Sequence, residues 1–316
     1  MFSKRLTLPG VLVFVALVVS SITPTYNAAR ANNPETRLEE IELLQKYVEL
    51  CEQNDSGRIQ LLQTLSPLER SYLSRVRLGL YLARNTTLSR DQQNIVIETL
   101  ALMGPKLFNP ADPKDPGGRV ILERLDQLKQ RGLQLFSKEE AAEIFSAIGG
   151  AHDGEALRKY SELSELTKGD RKASFKLMST EDKSSMWRVH LGLNLARHPE
   201  WTDQQRAIVL EALSMVTPRL YKTSKDDRNW TRLVDEPVRL LTQKALAFFT
   251  KEEGAALFAE LGFSEQLKLN HPQRPRNCAC SQESDWCGNQ CVSSQCTILT
   301  WGCGTLGIYA CTGHCN

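Results

Sequence analysis

The last forty residues of this chain, Asn277 to Asn316, are dense in cysteine, and this limits most strongly how the chain can fold. A segment of this length buries too little apolar surface to fold alone, and disulfides, each contributing about 2–4 kcal/mol, are the usual remedy. The segment holds eight of the nine cysteines: Cys278, Cys280, Cys287, Cys291, Cys296, Cys303, Cys311 and Cys315. The even number predicts four bridges, but spacing does not choose among the many pairings. A bond between Cys278 and Cys280 is disfavoured because they are so close in sequence.

The N-terminus has the pattern of an export signal. Two basic residues, Lys4 and Arg5, precede a mostly apolar stretch from Leu6 to Val19, and small residues predict cleavage between Ala31 and Asn32. The apolar stretch is shorter than the ~20 residues that a membrane-spanning helix needs, so a retained anchor is the weaker interpretation. We therefore expect residues 1–31 to be a signal peptide and the mature chain to be secreted.

Two other uses of the tail cysteines remain open. Thiolates together with His314 could bind a metal ion, but zinc modules usually carry tightly paired ligands, and the chain has no Cys-x-x-Cys. Thioether rings formed with tail serines and threonines are the second alternative, although such peptides usually follow short leaders. Because export leads to an oxidising compartment, we expect disulfides and no metal or other cofactor.

Comparing the chain with itself shows a repeat of 113 residues without a gap. LGLYLAR, from Leu78 to Arg84, returns as LGLNLAR, from Leu191 to Arg197. Phe136 to Glu140 likewise returns as Phe249 to Glu253. The repeat predicts two similar units, residues 38–150 and residues 151–264.

Helix start signals recur in register in both units. A hydroxyl stands three residues before an acid or a glutamine at Ser66, Ser89 and Ser137, and again at Ser179, Thr202 and Thr250. Apolar residues at helical spacing follow, so each unit is predicted to hold four or five helices. The expected fold is an all-α tandem-repeat body of two copies followed by a small disulfide-rich domain, residues 277–316.

The body carries no common catalytic motif, since Gly-x-Ser-x-Gly, His-Glu-x-x-His and a glycine-rich phosphate loop are all absent. No histidine is shared by the two units, and His152, His190 and His198 are each expected at the surface. Cys51 is predicted to be a small buried helix residue rather than a nucleophile. We expect that the chain is not an enzyme; a site built on His152 or His190 is the least favoured alternative.

Charge separates the tail from the body. The net charge of +2 comes from 39 basic and 37 acidic residues without a long run of one sign, so nucleic acid is not an expected partner. No Lys or Arg follows Arg276, so the tail carries only Glu283 and Asp285, about −2, and the remainder has +4 by difference. Residues 265–276 are the predicted linker, because Pro272 and Pro275 disfavour helix and basic residues there would be open to proteases.

The tail also carries a specific motif. Asn277 to Ser281 and Ser284 to Cys287 read N-C-A-C-S and S-D-W-C, and Gly302 to Thr305 reads G-C-G-T. This pattern resembles the fulvocin C-related peptide bacteriocins, over about forty residues of the chain. The middle cysteine spacings differ, and Cys311 and Cys315 stand further apart than the corresponding family pair, so no bridge pattern is carried over. The resemblance implies an antibacterial peptide released by a processing protease between Arg276 and Asn277.

An apolar set in the tail is the predicted binding face for a target-cell membrane or surface receptor. It comprises Ile298, Leu299, Trp301, Leu306, Ile308 and Tyr309. Because the tail lacks cations, attack on a bilayer would depend on apolar insertion. The alternative is that these side chains fill the small domain's own core.

These observations favour an exported precursor in which the helical repeats act as a pro-domain or protective carrier for the peptide. The main alternative is an intact secreted binding protein whose repeats recognise a partner and whose tail is a permanent disulfide-rich appendage.

Overall fold

A computed structural model describes residues 34–109, 116–146, 153–223, 225, 227–262, 278–287, 290–293 and 295–315. Within these residues the body is built of α-helices and the C-terminal tail of short disulfide-bonded strands, which confirms a helical body with a small cysteine-rich domain. Several predicted features lie outside the described residues: the signal peptide with Ala31 and Asn32, the linker with Arg276, and also Asn277 and His152.

The first half of the body contains α1 to α6. Their bounds are Pro34–Glu52, Asp55–Thr64, Pro67–Arg84, Arg90–Leu102, Pro116–Leu135 and Lys138–Phe145, with a 3-10 turn at Pro105–Phe108. The second half contains α7 to α13, at Gly154–Glu165, Lys168–Leu177, Thr180–Arg197, Asp203–Met215, Pro218–Lys222, Glu236–Phe248 and Lys251–Phe258, with a π turn at Thr231–Asp235.

The prediction of four or five helices for each half is too low. The eight-residue helices α6 and α13 and the five-residue α11 are too short to give a clear apolar period. Four helices of the first half, α2, α3, α4 and α6, begin and end 113 residues before α8, α9, α10 and α13.

The predicted helix starts are realised as caps. Ser66, Ser89 and Ser137 each accept a hydrogen bond from the N–H three residues later, and the Glu or Gln at that position bonds back. Thr202 and Thr250 form the same capping boxes in the second half. Ser179 accepts from the Asp182 N–H, without a return bond.

The two halves meet where α3 crosses α9, and glycine permits the contact. A Cβ added to Gly79 would lie 2.1 Å from the carbonyl oxygen of Gly192, and one added to Gly192 would lie 2.6 Å from the carbonyl oxygen of Gly79. The next neighbours are also reciprocal, with Ala196 beside Gly79 and Ala83 beside Gly192. Each residue and its counterpart are 113 positions apart. An approximate two-fold axis at the crossing therefore relates α3 to α9.

Two ion-pair clusters cross between the halves in the same reciprocal way. Arg84 of α3 pairs with Asp153 at the start of α7, while Arg197 of α9 pairs with Glu40 of α1. Arg84 also pairs with Glu143. Each arginine thus has an acidic partner in the opposite half, and these bonds tie α1 to α9 and α7 to α3.

An apolar core runs through both halves and continues into the tail. The central part lies between α1, α3, α7 and α9 and includes the register pairs Tyr47 with Tyr160 and Leu80 with Leu193. A second, larger cluster includes side chains of both halves together with tail residues Trp286, Leu306, Ile308 and Tyr309. The tail is therefore packed into the body and not suspended from it.

The tail consists of two small antiparallel ladders. The strands β1 to β4 span Cys291–Ser293, Leu299–Cys303, Tyr309–Cys311 and Gly313–Cys315. β1 pairs with β4, and β2 pairs with β3. A short 3-10 turn, Thr305–Gly307, joins β2 and β3.

Among the helices that the structure describes, none is both long and apolar enough to cross a bilayer.

Candidate functional site

All eight predicted tail cysteines are disulfide-bonded. The bridges are Cys278–Cys296, Cys280–Cys291, Cys287–Cys315 and Cys303–Cys311. Cys278 and Cys280 do not pair with each other, as their spacing predicted. Each bridge joins two tail residues, so no disulfide among the described residues links the tail to the body.

The predicted apolar face is divided by the structure. Ile298 is 62% exposed, whereas Leu299 is buried with the sulfurs of Cys278, Cys303 and Cys311. Leu306, Ile308 and Tyr309 are buried, but against the helices of the second half rather than in a core of the tail itself. Trp301 lies in β2, and its side chain is outside the described part of the structure. The six residues therefore do not form one surface.

The segment Gly304–Tyr309, here called the docking loop, inserts into the second half of the body. Leu306 has a left-handed backbone, with φ of 55°, at a cost of about 1–2 kcal/mol for an L-residue, and its side chain is fully buried. At Gly307, φ is 63° and an added Cβ would lie 3.2 Å from both Phe175 and Trp187. Tyr221 donates its hydroxyl to the Leu306 carbonyl at 3.2 Å.

Trp286 anchors the tail against α13. Its ring stacks with Phe258 at a centroid distance of 6.3 Å, and a Cβ added to Gly254 would lie 2.3 Å from the indole. Only glycine at position 254 allows the ring this close to the helix. We name the body residues that receive the tail, Phe175, Trp187, Tyr221, Thr242 and Gly254, the docking surface.

A buried hydroxyl network fixes the docking loop. The Thr305 hydroxyl oxygen, which is fully buried, accepts from the Trp286 indole N–H at 2.9 Å and lies 2.7 Å from the Thr242 hydroxyl of α12. The Ser284 hydroxyl lies 3.1 Å from it and accepts from the Thr305 N–H at 3.0 Å. Buried polar groups must be paired in this way, so the network specifies one docked position.

Charged side chains of the body surround the same contact. The Lys172 ammonium donates to the Ala279 carbonyl and lies 3.2 Å from the sulfur of Cys303. Lys225 pairs with Glu283 at 2.7 Å, and Asp235 accepts from the Tyr309 hydroxyl at 2.9 Å. Burial, and then the Asp235 carboxylate, raise the pKa of Tyr309, so the phenol stays a donor. The Lys225–Glu283 pair thus joins opposite charges of body and tail, and Lys172 and Asp235 hold neutral groups of the tail.

Among its described residues, the first half has no equivalent of the docking surface. Its residues 113 positions earlier are Leu62, Ser74, Phe108, Lys129 and Ala141. Ala141 would place a methyl group where the indole of Trp286 needs space, and Lys129 replaces the hydroxyl of Thr242. The tail therefore fits the second half only.

A cavity of about 20 Å³ remains beside the docking loop, lined by residues that include Phe175, Trp187 and Gly307. It has room for about one water molecule.

The structure corrects the interpretation of His190. It is 1% exposed and not at the surface, and its ring nitrogens lie 2.8 Å from the Tyr160 hydroxyl and 3.0 Å from the Ala256 carbonyl. Burial, together with nearby Arg197, lowers its pKa to about 3, so it is a neutral core residue. Cys51 is half-buried on α1, and burial raises its pKa to about 11, which makes the thiol a poor nucleophile.

No protein-family model matches this chain, and neither a curated protein nor a solved structure matches it.

Sequence reasoning identified Leu306, Ile308 and Tyr309 but missed Trp286 and the whole docking surface. One signal was present in the aligned halves. The second half has glycine at 254 and aromatic residues at 175 and 187, whereas the first half has Ala141, Leu62 and Ser74. Such divergence between otherwise similar units indicates that one of them has an added contact.

Proposed function

We propose that this chain is an exported precursor of a disulfide-stapled antibacterial peptide related to fulvocin C, and that the helical body carries and masks that peptide. The observation that carries the proposal is the burial of Leu306, Ile308 and Tyr309 against the second half of the body. These residues are half of the apolar set by which the tail would act.

Masking follows from how a tail without cations must reach a membrane. No Lys or Arg follows Arg276, so attraction to anionic lipid is absent and binding depends on apolar side chains. While the docking loop lies in the body, Leu306 and Ile308 cannot reach a bilayer or a receptor. The precursor is therefore inactive in this proposal.

The covalent arrangement supports a tail that can be separated. All four bridges close within the tail, so cleavage between residues 262 and 278 would leave two pieces held only by non-covalent contacts. Complete burial of Leu306 and Ile308 contributes about 1.5–3 kcal/mol each before the cost of association is subtracted. Cleavage alone would then release the peptide slowly, and the body would rebind it when both are concentrated.

We further propose that the body arose by duplication of one helical unit. The matching bounds of four helix pairs and the reciprocal crossing of Gly79 and Gly192 support this. In this account the first copy keeps the body folded, and the second has been modified to hold the tail.

A second candidate function is favoured by the depth of the same contact. Trp286 and the docking loop belong to one core with the second half, as expected for a permanent appendage of an intact binding protein. In that case the tail would stabilise the body and would have no activity of its own.

Production of the full chain in an exporting bacterium separates the two candidates. Mass spectrometry of the supernatant should find a species that begins near Asn277 and lacks eight hydrogens. The purified tail should kill or depolarise indicator cells, whereas the full chain should not. An excess of isolated body should abolish the effect, and reduced and alkylated tail should be inactive. Recovery of the intact chain alone, together with an inert oxidised tail, would refute the precursor and favour the appendage.

A further inference from the structure

Two of the tail disulfides lie side by side and bring three of their four sulfurs close together. The sulfurs of Cys280, Cys287 and Cys291 lie within 4.8 Å of one another, although they belong to two different bridges. The fourth sulfur, that of Cys315, is bonded to the sulfur of Cys287 at 2.03 Å and lies at the edge of this group, outside the 4.8 Å spacing. We call these four residues the sulfur cluster. The other two bridges lie in a separate cluster with Leu299.

Main-chain bonds place the sulfur cluster independently of the S–S bonds. Cys291 and Cys315 are direct partners in the ladder between β1 and β4. Cys280 is held beside them, because its N–H donates to the Gly313 carbonyl at 3.0 Å and its carbonyl accepts from the Thr312 N–H at 2.8 Å. If the two bridges were opened, these bonds and the packing of the tail on the body would together favour neighbouring thiols.

The carboxylate of Asp285 fixes Cys287, the remaining member of the sulfur cluster. The two oxygens of Asp285 accept from the N–H groups of Cys287 and Cys291 at 2.8 and 3.0 Å. A single side chain thus holds the main chain at both of these cysteines. All four cysteines have their positions set by hydrogen bonds and not only by sulfur.

We propose that, in the reduced chain, Cys280, Cys287, Cys291 and Cys315 bind one zinc ion as a tetrahedral four-thiolate site. Zinc–sulfur bonds of about 2.3 Å give sulfur–sulfur edges of about 3.8 Å, within the spacing that the sulfurs of Cys280, Cys287 and Cys291 already have. The bonded sulfurs must move apart, by about 1 Å each, and the sulfur of Cys315 must also turn towards the other three. His314 is not a ligand, because it lies opposite Val292 in the ladder and therefore on the other face of β4 from Cys315.

The chemistry balances with a dithiol as the reductant. Each bridge takes up two electrons and two protons from the dithiol and gives two thiols, and the dithiol becomes a disulfide. Zinc then displaces the four thiol protons and is held by four thiolates, so all positions are occupied by protein as in structural zinc sites. Oxidation by a small-molecule disulfide removes four electrons, restores both bridges and releases the metal.

The site gives the tail a second way to remain folded. If the chain is exported, as proposed above, the tail first exists in a reducing compartment where its disulfides cannot persist. Zinc would hold β1, β4 and Cys287 together until oxidation replaces the metal. Only this use of the site rests on export; the binding of zinc does not.

Cobalt(II) tests the site, because tetrahedral thiolate coordination gives intense visible absorption. The full chain, reduced and kept without oxygen, should bind one cobalt ion with these bands, and added zinc should bleach them. The oxidised chain should bind none. Loss of a hydrogen-bond partner outside the coordination sphere costs about 10–100-fold in metal affinity. Because Cys291→Ser removes a ligand itself, it should lower cobalt affinity by at least about 100-fold.

Matched variants assign the ligands. Cys280→Ser and Cys315→Ser should weaken cobalt binding as Cys291→Ser does, whereas Cys303→Ser and His314→Ala should leave it unchanged. Three results would overturn the proposal: no tetrahedral spectrum, equal loss in Cys303→Ser, or a requirement for His314. None of these results bears on whether the oxidised tail is antibacterial. The zinc site and the precursor can therefore be refuted independently of each other.

Discussion

The indole of Trp286 lies against the main chain of Gly254, where an added Cβ would come within 2.3 Å of the ring. The first half has Ala141 at the equivalent position. This contact helps to explain why the tail is held by one half of a body in which four helices of each half share their bounds. It also gives a direct means of weakening the docked state without changing the tail.

We predict that Gly254→Ala loosens the tail. Overpacking a filled site costs about 1–3 kcal/mol, so retention of the tail should fall by about 5–150-fold. The measurement uses a chain with a specific protease site in place of residues 270–276, which is cut and analysed by size-exclusion chromatography and calorimetry. Gly169→Ala is the matched control, because it is also a helical glycine of the second half and its added Cβ would meet no atom closer than 4.0 Å. Equal retention in both variants would show that Trp286 does not need Gly254.

The crossing of α3 and α9 predicts a different effect, on the body as a whole. Gly79→Ala would bring a methyl group to 2.1 Å from a main-chain oxygen, which cannot move aside as a side chain can. The free energy of unfolding, measured in urea, should fall by about 1–3 kcal/mol or more. Gly104→Ala, where no atom lies within 4 Å of the added Cβ, should change it little. Similar losses at both positions would argue against the close crossing.

The local features of the fold could be read from the sequence, whereas the docked tail could not. Capping boxes such as Ser137 with Glu140 depend on residues three apart, so their spacing alone predicts the helix start. The eight cysteines predict bridges because a domain this small needs them. Burial of Leu306, by contrast, depends on residues of the body more than sixty positions away. The sequence pattern of apolar side chains in the tail is the same whether they fill the core of the tail or pack against the body.

His190 makes the stability of the body depend on pH. Its pKa is about 3 in the folded chain, against an ordinary value of 6.5, so the unfolded chain binds one more proton between these values. Stability from this group is present above pH 6.5 and is lost as the pH falls towards 3, by about 1.4 kcal/mol per pH unit. The ring signals of His190 in NMR spectra should not shift between pH 8 and pH 5. A titration midpoint near 6.5 would contradict its burial in neutral form.

Thiol counting tests the disulfides together with Cys51. Without reductant the unfolded chain should show one free thiol, since the other eight cysteines are paired. In the folded chain burial raises the pKa of Cys51 to about 11 from 9.0, so about 100-fold less thiolate is present at pH 8. Alkylation by iodoacetamide should therefore be slow until the chain is unfolded. Additional free thiols, or equal rates in both states, would be inconsistent with this structure.

The central claim is that the buried side chains of the tail, and not its exposed ones, hold the peptide on the body. Two isoleucines of the tail offer a matched pair, because Ile308 is fully buried at the body while Ile298 is 62% exposed. Replacing a buried isoleucine with alanine costs about 2–5 kcal/mol, so Ile308→Ala should weaken binding of the cut tail by at least about 30-fold.

The decisive measurement is the dissociation constant of the oxidised, cut tail from the isolated body for the natural sequence, Ile308→Ala and Ile298→Ala. We predict that Ile298→Ala binds as the natural tail does and that Ile308→Ala does not stay bound during gel filtration. Equal binding by all three tails, or loss of binding with Ile298→Ala alone, would contradict the account.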